Sequence, residues 1–244
     1  MSTEAKSPTV KTMTSALTLV RQFPLNSRPK RSQQNAENST LSLDLSKSWT
    51  NDTVEFAHIE RPPDMPKLNY GVLWYHKSED LLYSGPIGKA SVYAQETVET
   101  PTLSLWALKP DQNGKGTWSQ VLGPAAQQWK GLKRVSRALT AQTADSGFAL
   151  LGADLNDGFS SGMLQLDMGA NTVANLSTES VFSSGIRSGT LQFVPTWGKQ
   201  GLLIPWGGLR PQRDYHDDNI VQVYDIDGKV WFNQTITGDR PNWR

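Results

Sequence analysis

Apolar and polar residues alternate in short runs along most of the chain, and similar runs return about every sixty residues. Thr-Leu-Ser-Leu occurs at 40–43 and again at 102–105, and related runs cover 163–166 and 220–223. Successive side chains of a strand point to opposite faces of a sheet, so each run predicts a β-strand. The equivalent positions, spaced by 62, 61 and 57 residues, are Leu41, Leu103, Leu164 and Val221.

Further predicted strands surround each run and complete a unit of four. The first strands of the last three units are predicted at 70–75, 138–143 and 190–194. The second strands, which end on glycine, are predicted at 81–85, 148–152 and 202–208. Fourth strands are predicted at 117–121 and 230–234. Before these three units, the chain contains only the outer half of a unit, at 41–45 and 48–56.

A four-stranded antiparallel meander at a fixed period is typical of a β-propeller blade. The alternative is a β-sandwich whose repetition is accidental. Two features favour the propeller: glycines fall at corresponding places, and a tryptophan recurs beside the fourth strand at Trp49, Trp118 and Trp231. In the third unit Val173 or Ala174 takes that place.

The last unit carries a recognisable motif. It contains Gly207-Gly208, a polar loop, and then Tyr224 and Trp231 separated by six residues. This pattern resembles the kelch repeat, and the runs at 193–203 and 38–51 resemble fungal kelch proteins of the galactose-oxidase-like superfamily. The resemblance covers about residues 38–244 and implies an all-β, kelch-type propeller of four-stranded antiparallel blades.

The four motif residues are expected to be structural. Glycine at the end of the second strand allows close backbone approach and releases the chain into a loop without Cβ strain. Tyr224 and Trp231 are expected to pack between adjacent sheets, as large apolar side chains whose polar tip can still find a partner.

The predicted strands are too few for a complete propeller, because they amount to about three and a half blades. A ring of six such blades needs roughly 360 residues, whereas this chain has 244. We therefore expect a partial chain with two open blade faces and an unpaired strand edge at 41–45. Such surfaces predict self-association.

Composition excludes several functions. A formal net charge of +1 is too small for a chain-wide nucleic-acid or membrane-binding surface. The chain has no cysteine, so disulfides, thiol nucleophiles and Cys-ligated metals are excluded. The superfamily that the chain resembles includes copper-radical oxidases, whose site contains a cysteine cross-linked to a tyrosine. Without cysteine, copper-radical oxidase activity is excluded as well. No cofactor is expected.

Residues 1–37 differ from the rest of the chain. They contain 18 Ser, Thr, Pro, Asn or Gln residues, and a basic cluster at Arg28, Lys30 and Arg31, which predicts a disordered basic segment. No signal peptide or membrane span is recognisable in the sequence. The resemblance implies a secreted or membrane-attached protein, and four glycosylation sequons agree weakly with it, at Asn38, Asn51, Asn175 and Asn233.

One polar loop is a candidate ligand site. It lies between the second and third strands of the last unit and contains Arg210, Arg213, Asp214, Tyr215, His216 and Asp217. Two hypotheses remain open. The chain is a non-catalytic scaffold that binds protein or glycan through its loops, or it is a metal-dependent or hydrolytic enzyme that uses the loop around His216. A solvated loop with balanced charges is the simpler explanation of these residues.

A second basic group could contact an acidic partner, although a solvated surface is the simpler explanation. It comprises Lys130, Lys133, Arg134 and Arg137.

Overall fold

The computed structural model describes 15 segments of the chain, and the structural statements below concern only these residues. The segments are 16–18, 39–44, 48, 50, 52–66, 68–69, 71–85, 87, 89–90, 104–111, 114–130, 135–154, 160–182, 185–209 and 220–238.

The described chain is an all-β structure with four principal antiparallel sheets. The first sheet has the order β1 (Ala16–Thr18), β2 (Ser39–Asp44) and β3 (Phe56–Glu60). The second contains β5 (Leu73–His76), β6 (Leu81–Ser84), β8 (Trp106–Pro110) and β9 (Gly116–Gln120). The third contains β11 (Leu139–Gln142), β12 (Ser146–Leu150), β14 (Met163–Asp167) and β15 (Thr172–Leu176). The fourth contains β16 (Thr190–Val194), β17 (Leu202–Trp206), β18 (Ile220–Asp225) and β19 (Val230–Thr235).

Two smaller ladders and one helix complete the described elements. β4 (Leu68–Asn69) pairs with β7 (Lys89–Ala90), and β10 (Val135–Ser136) pairs with β13 (Ala153–Asp154). Helix α1 (Pro124–Lys130) connects the second sheet to the third. Proline suits the first turn of a helix, where its missing N–H would have no intrahelical partner.

Each four-stranded sheet is a meander in chain order, as the alternating sequence pattern predicts. Their third strands begin at Trp106, Met163 and Ile220, so consecutive ones start 57 residues apart. This regular repetition of four-stranded antiparallel sheets is consistent with a β-propeller-like fold.

The sheets pack face to face in the order of the chain. One apolar cluster joins the first and second sheets around Ile59 and Trp118, whose indole N–H donates to Thr40 Oγ1 at 3.0 Å. The largest cluster lies between the second and third sheets and includes Trp74. A third cluster, which includes Phe148, joins the third and fourth sheets. Side chains from adjacent sheets thus form one continuous series of cores.

The first strands of the sheets lie beside one another, because β11 contacts both β5 and β16. The Gln142 side chain of β11 links it to β5: its Oε1 accepts the Tyr75 N–H at 2.9 Å, and its Nε2 donates to the Tyr75 carbonyl at 3.3 Å. One amide therefore satisfies both backbone groups of a residue in the neighbouring sheet.

Helix α1 covers the third sheet where its fourth strand lacks the recurring tryptophan. Val173 and Trp129 of α1 belong to the same cluster, and Gln128 Oε1 accepts the Val173 N–H at 2.5 Å. A tryptophan from the helix therefore contributes bulk near the degenerate position.

Several sequence predictions are wrong in detail. The second Thr-Leu-Ser-Leu run ends before β8, because Trp106 rather than Leu103 starts the strand that pairs with β6. The outer strand of the first sheet is Phe56–Glu60 and not 48–56. The edge at 41–44 is paired, since β1 lies against β2. That strand comes from the segment predicted to be disordered; the rest of 1–37 lies outside the described residues.

Candidate functional site

The meanders place two kinds of connection at opposite ends of the sheets. First and second strands, like third and fourth strands, are joined by short turns such as 77–80 and 168–171. Longer connections, such as 121–138 and 177–189, join strands at the other end. We call this second end the loop-bearing end. Long loops carried on a rigid framework are the usual location of binding residues.

The backbone at the loop-bearing end is held by an extension of each innermost hairpin. Beyond β11 and β12, the strands separate for two residues and pair again as β10 and β13 in the same register. Beyond β16 and β17, Arg187 and Leu209 pair in the same way. In the second sheet β4 and β7 occupy the corresponding place. These short ladders fix the start of each loop.

Non-glycine residues adopt left-handed backbone conformations where the hairpins separate. Arg137 has φ of 55° and Ser188 has φ of 60°, each two residues before a first strand. The Ser188 N–H donates to the Arg137 carbonyl at 3.0 Å, which ties the third sheet to the fourth. Such conformations cost free energy and persist where the surroundings determine them.

The two glycines of the sequence motif lie at the same break. Gly207 and Gly208 have φ of 64° and 93°, in the region that favours glycine. A Cβ at Gly208 would lie 3.0 Å from the Arg187 carbonyl oxygen, whereas one at Gly207 would meet nothing within 4 Å. Gly208 therefore allows close approach of the paired strand in its own hairpin, and Gly207 supplies a turn conformation.

Tyr224 and Trp231 pack between the third and fourth sheets, as the motif implies. They are a cross-strand pair with ring centroids 5.0 Å apart, and Trp231 also meets Phe182 edge-on at 5.5 Å. Burial, with a smaller contribution from the Asp225 carboxylate, raises the pKa of Tyr224 to about 12. Within the described chain, Tyr224 Oη and Trp231 Nε1 have no hydrogen-bond partner, so the partners that the motif leaves room for stay a prediction.

The candidate ligand loop lies outside the described residues. This applies to Arg210, Arg213, Asp214, Tyr215, His216 and Asp217, so their side-chain positions stay a prediction. The same is true of Lys133 and Arg134 in the second basic group. Within the described ranges, no group of three or more His, Asp or Glu side chains is placed to hold a metal ion.

Two exposed apolar residues next to the double glycine at the loop-bearing end were missed in the sequence. Trp206, at the end of β17, is 50% exposed, and Leu209, just after Gly208, is 57% exposed. The repeat positions predict that every tryptophan from Trp74 to Trp231 is at least half buried between sheets. This is wrong for Trp197, which is 65% exposed at the opposite, short-turn end, while Trp206 lies at the limit. The sequence feature that could have indicated the exposure of Trp206 is its position beside the double glycine, where a loop starts.

A Ser-His-Asp cluster at the short-turn end does not have the geometry of a catalytic triad. His76 is buried, with Nε2 at 2.9 Å from Ser78 Oγ and 3.6 Å from Asp145 Oδ1. In a triad the carboxylate orients the nitrogen opposite to the one that faces the nucleophile. Here both groups meet Nε2, so the cluster joins β5 to the third sheet rather than activating the serine.

Comparison with known proteins identifies the fold alone. No family model and no curated protein matches the sequence. Among solved structures, the structure of YjhT matches with a TM-score of 0.53 and 13% sequence identity. The match covers 81% of this chain and 59% of that chain. Within the described ranges, no helix is long and apolar enough to cross a membrane.

Proposed function

We propose that this chain is a non-catalytic, kelch-type β-propeller scaffold that binds a protein or glycan through its loop-bearing end. Each four-stranded sheet is one blade, and the first, three-stranded sheet is a partial blade. The spacing of Gly207, Gly208, Tyr224 and Trp231 supports the kelch type, together with the 57-residue repeat of the strands.

One observation carries the binding function: exposed apolar side chains on a fixed backbone at the loop-bearing end. Trp206 terminates β17, and Leu209 is held by reciprocal backbone hydrogen bonds to Arg187 at 2.8 and 3.1 Å. Large apolar side chains usually avoid water, and tryptophan is enriched among residues that dominate binding energy. A rigid backbone lowers the entropy lost when such residues are covered by a partner.

The test compares the two exposed tryptophans of opposite ends. The purified chain is applied to an oligosaccharide array and to a displayed peptide library, and the best probe is then titrated by calorimetry. Trp206→Ala is expected to weaken binding by roughly tenfold or more, as for a binding hot spot. Trp197→Ala is the matched control and should bind as the wild type does. Equal losses in both variants, or binding lost only with Trp197→Ala, would contradict the proposal.

The enzyme hypothesis around His216 has a separate readout. Turnover of a bound oligosaccharide or peptide, abolished by His216→Ala while binding persists, would replace the scaffold with that alternative. Binding without turnover, unaffected by this substitution, agrees with the scaffold.

A further inference from the structure

The fourth sheet has one apolar face that no described residue covers. Leu203 and Tyr224 point toward the third sheet and are buried. The alternate positions point the other way, and three of them are 41–53% exposed: Trp206, Val230 and Phe232. We call this side of the sheet, with Ile204 and Val223, the exposed face of the fourth sheet.

The first sheet has a complementary exposed face. Thr40 and Ser42 are buried on the side toward the second sheet. Leu41, Leu43 and Phe56 lie on the opposite side, because Leu43 is directly opposite Phe56 in the strand register. Phe56 is 43% exposed. Both ends of the series of sheets therefore present apolar side chains.

The two exposed faces correspond to the sheet faces that pack together at three contacts within the chain. Core clusters join the first sheet to the second, the second to the third and the third to the fourth. In the third sheet, Phe148 and Met163 fill the side that packs on the fourth sheet. The exposed face of the fourth sheet offers apolar residues on its corresponding side. A further antiparallel sheet is thus the partner that fits it.

We propose that a second copy of this chain supplies that sheet, and that two copies close a ring through two identical contacts. In each contact the exposed face of the fourth sheet packs on the exposed face of the partner's first sheet. Two sets of four sheets give eight, which is within the range at which propellers close. A two-fold axis makes both contacts equivalent and leaves neither face open.

The available area favours two contacts over one. A sheet of three or four strands, five residues long, has a flat area of about 250–300 Å². One contact then buries roughly 500–600 Å² from both partners, below the ~1,200 Å² of a standard interface. Two contacts reach about that value, and the second forms within an existing complex at high effective concentration. Trp206 lies at the loop-bearing end of the exposed face of the fourth sheet, so a ligand of the proposed function and the second copy would compete for it. The dimer is therefore measured without ligand and through residues that the ligand proposal does not use.

Sedimentation velocity over a concentration series of the full chain tests the proposal. The wild type is expected to be a dimer at micromolar concentration. Phe232→Asp and Phe56→Asp should each raise the dimer dissociation constant by about 30-fold or more, as for a buried hot spot. Leu122→Asp is the control, because Leu122 is 75% exposed and belongs to neither face. Far-UV circular dichroism checks folding, and Val230→Asp replaces Phe232→Asp if that variant unfolds.

Mixing the two single variants separates this ring from other dimers. In an equimolar mixture, one of the two contacts has both substitutions and the other has none, so the mixture is expected to dimerise more strongly than either variant alone and more weakly than the wild type. A wild type that is still monomeric at about 100 µM would overturn the proposal, because this is far above the concentration at which a micromolar dimer forms. So would a dimer that only Phe232→Asp disrupts, since that pattern indicates two fourth sheets packed on each other.

Discussion

The burial of Tyr224 makes the stability of the folded state depend on pH. Its ring is 1% exposed, and its hydroxyl has no hydrogen-bond partner within the described chain. The pKa of about 12 exceeds the ordinary value of 10.0, so the folded state holds the phenolic proton more tightly than the unfolded state does. This contribution to stability is complete below pH 10 and is lost as the pH rises through 12.

Tyr224→Phe is expected to remove this pH dependence with little cost at neutral pH, because it deletes a hydroxyl that has no hydrogen-bond partner among the described residues. For the wild type, the free energy of unfolding should fall by about 1.4 kcal/mol between pH 9 and pH 11 through this group. Urea unfolding of both proteins at the two pH values measures the difference. Equal pH dependence in the two proteins would show that Tyr224 ionises normally.

The sequence predicted the positions of the motif residues better than their contacts. The spacing of Tyr224 and Trp231 predicts that they share a core, because a repeat places equivalent residues at equivalent sites. It does not predict unsatisfied polar tips, since these depend on which side chains the neighbouring sheet supplies. The prediction that Trp197 is at least half buried is wrong for a similar reason: residue type indicates average burial and not the location of a turn.

At the level of elements, the contact between Trp74 and Gly147 tests the packing of the second sheet on the third. A methyl group at Gly147 would overlap the Trp74 indole, while the backbone of Gly147 itself adopts an ordinary φ. Gly147→Ala is therefore expected to destabilise the chain by roughly 1–3 kcal/mol through overpacking. The same substitution should cost clearly less in a Trp74→Leu background, which leaves room for the methyl group.

Gly169→Ala is the matched control for this experiment. Its Cβ would lie 3.7 Å from Asp167 Oδ1, an ordinary contact, so its stability should stay within about 0.5 kcal/mol of the wild type. Thermal unfolding of the wild type, the three single variants and the Trp74→Leu/Gly147→Ala double variant gives the comparison. A Gly147→Ala cost that does not depend on Trp74 would contradict the packing of these two sheets.

The sequence predicted the main strands of the last three sheets, because alternation and flanking turn residues are local signals. β16 and β17 begin where the alternation predicts. The short ladders β4–β7 and β10–β13 escaped prediction, since two residues are too few to show a period. The start of β8 was missed because Leu105-Trp106-Ala107-Leu108 is buried on both sides and does not alternate.

For the whole molecule, the central claim is that the sheets pack face to face in chain order. The contact between the first and second sheets offers a direct test, because the natural chain contains no cysteine. A Cβ at Gly114, in the turn between β8 and β9, would lie 3.0 Å from Ser42 Oγ of β2. This separation suits a disulfide, in which each Cβ lies near the sulfur of the other residue.

The double variant Ser42→Cys/Gly114→Cys is expected to form an intramolecular disulfide on oxidation. Ser42→Cys/Gly198→Cys is the control, because Gly198 also has a positive φ but lies in a turn of the fourth sheet. Intact-mass spectrometry before and after thiol alkylation, at low protein concentration, is the measurement. Protection of both thiols in the first variant and full alkylation in the control is the predicted result. Full alkylation of the first variant, or equal protection in both, would contradict the packing of the sheets in chain order.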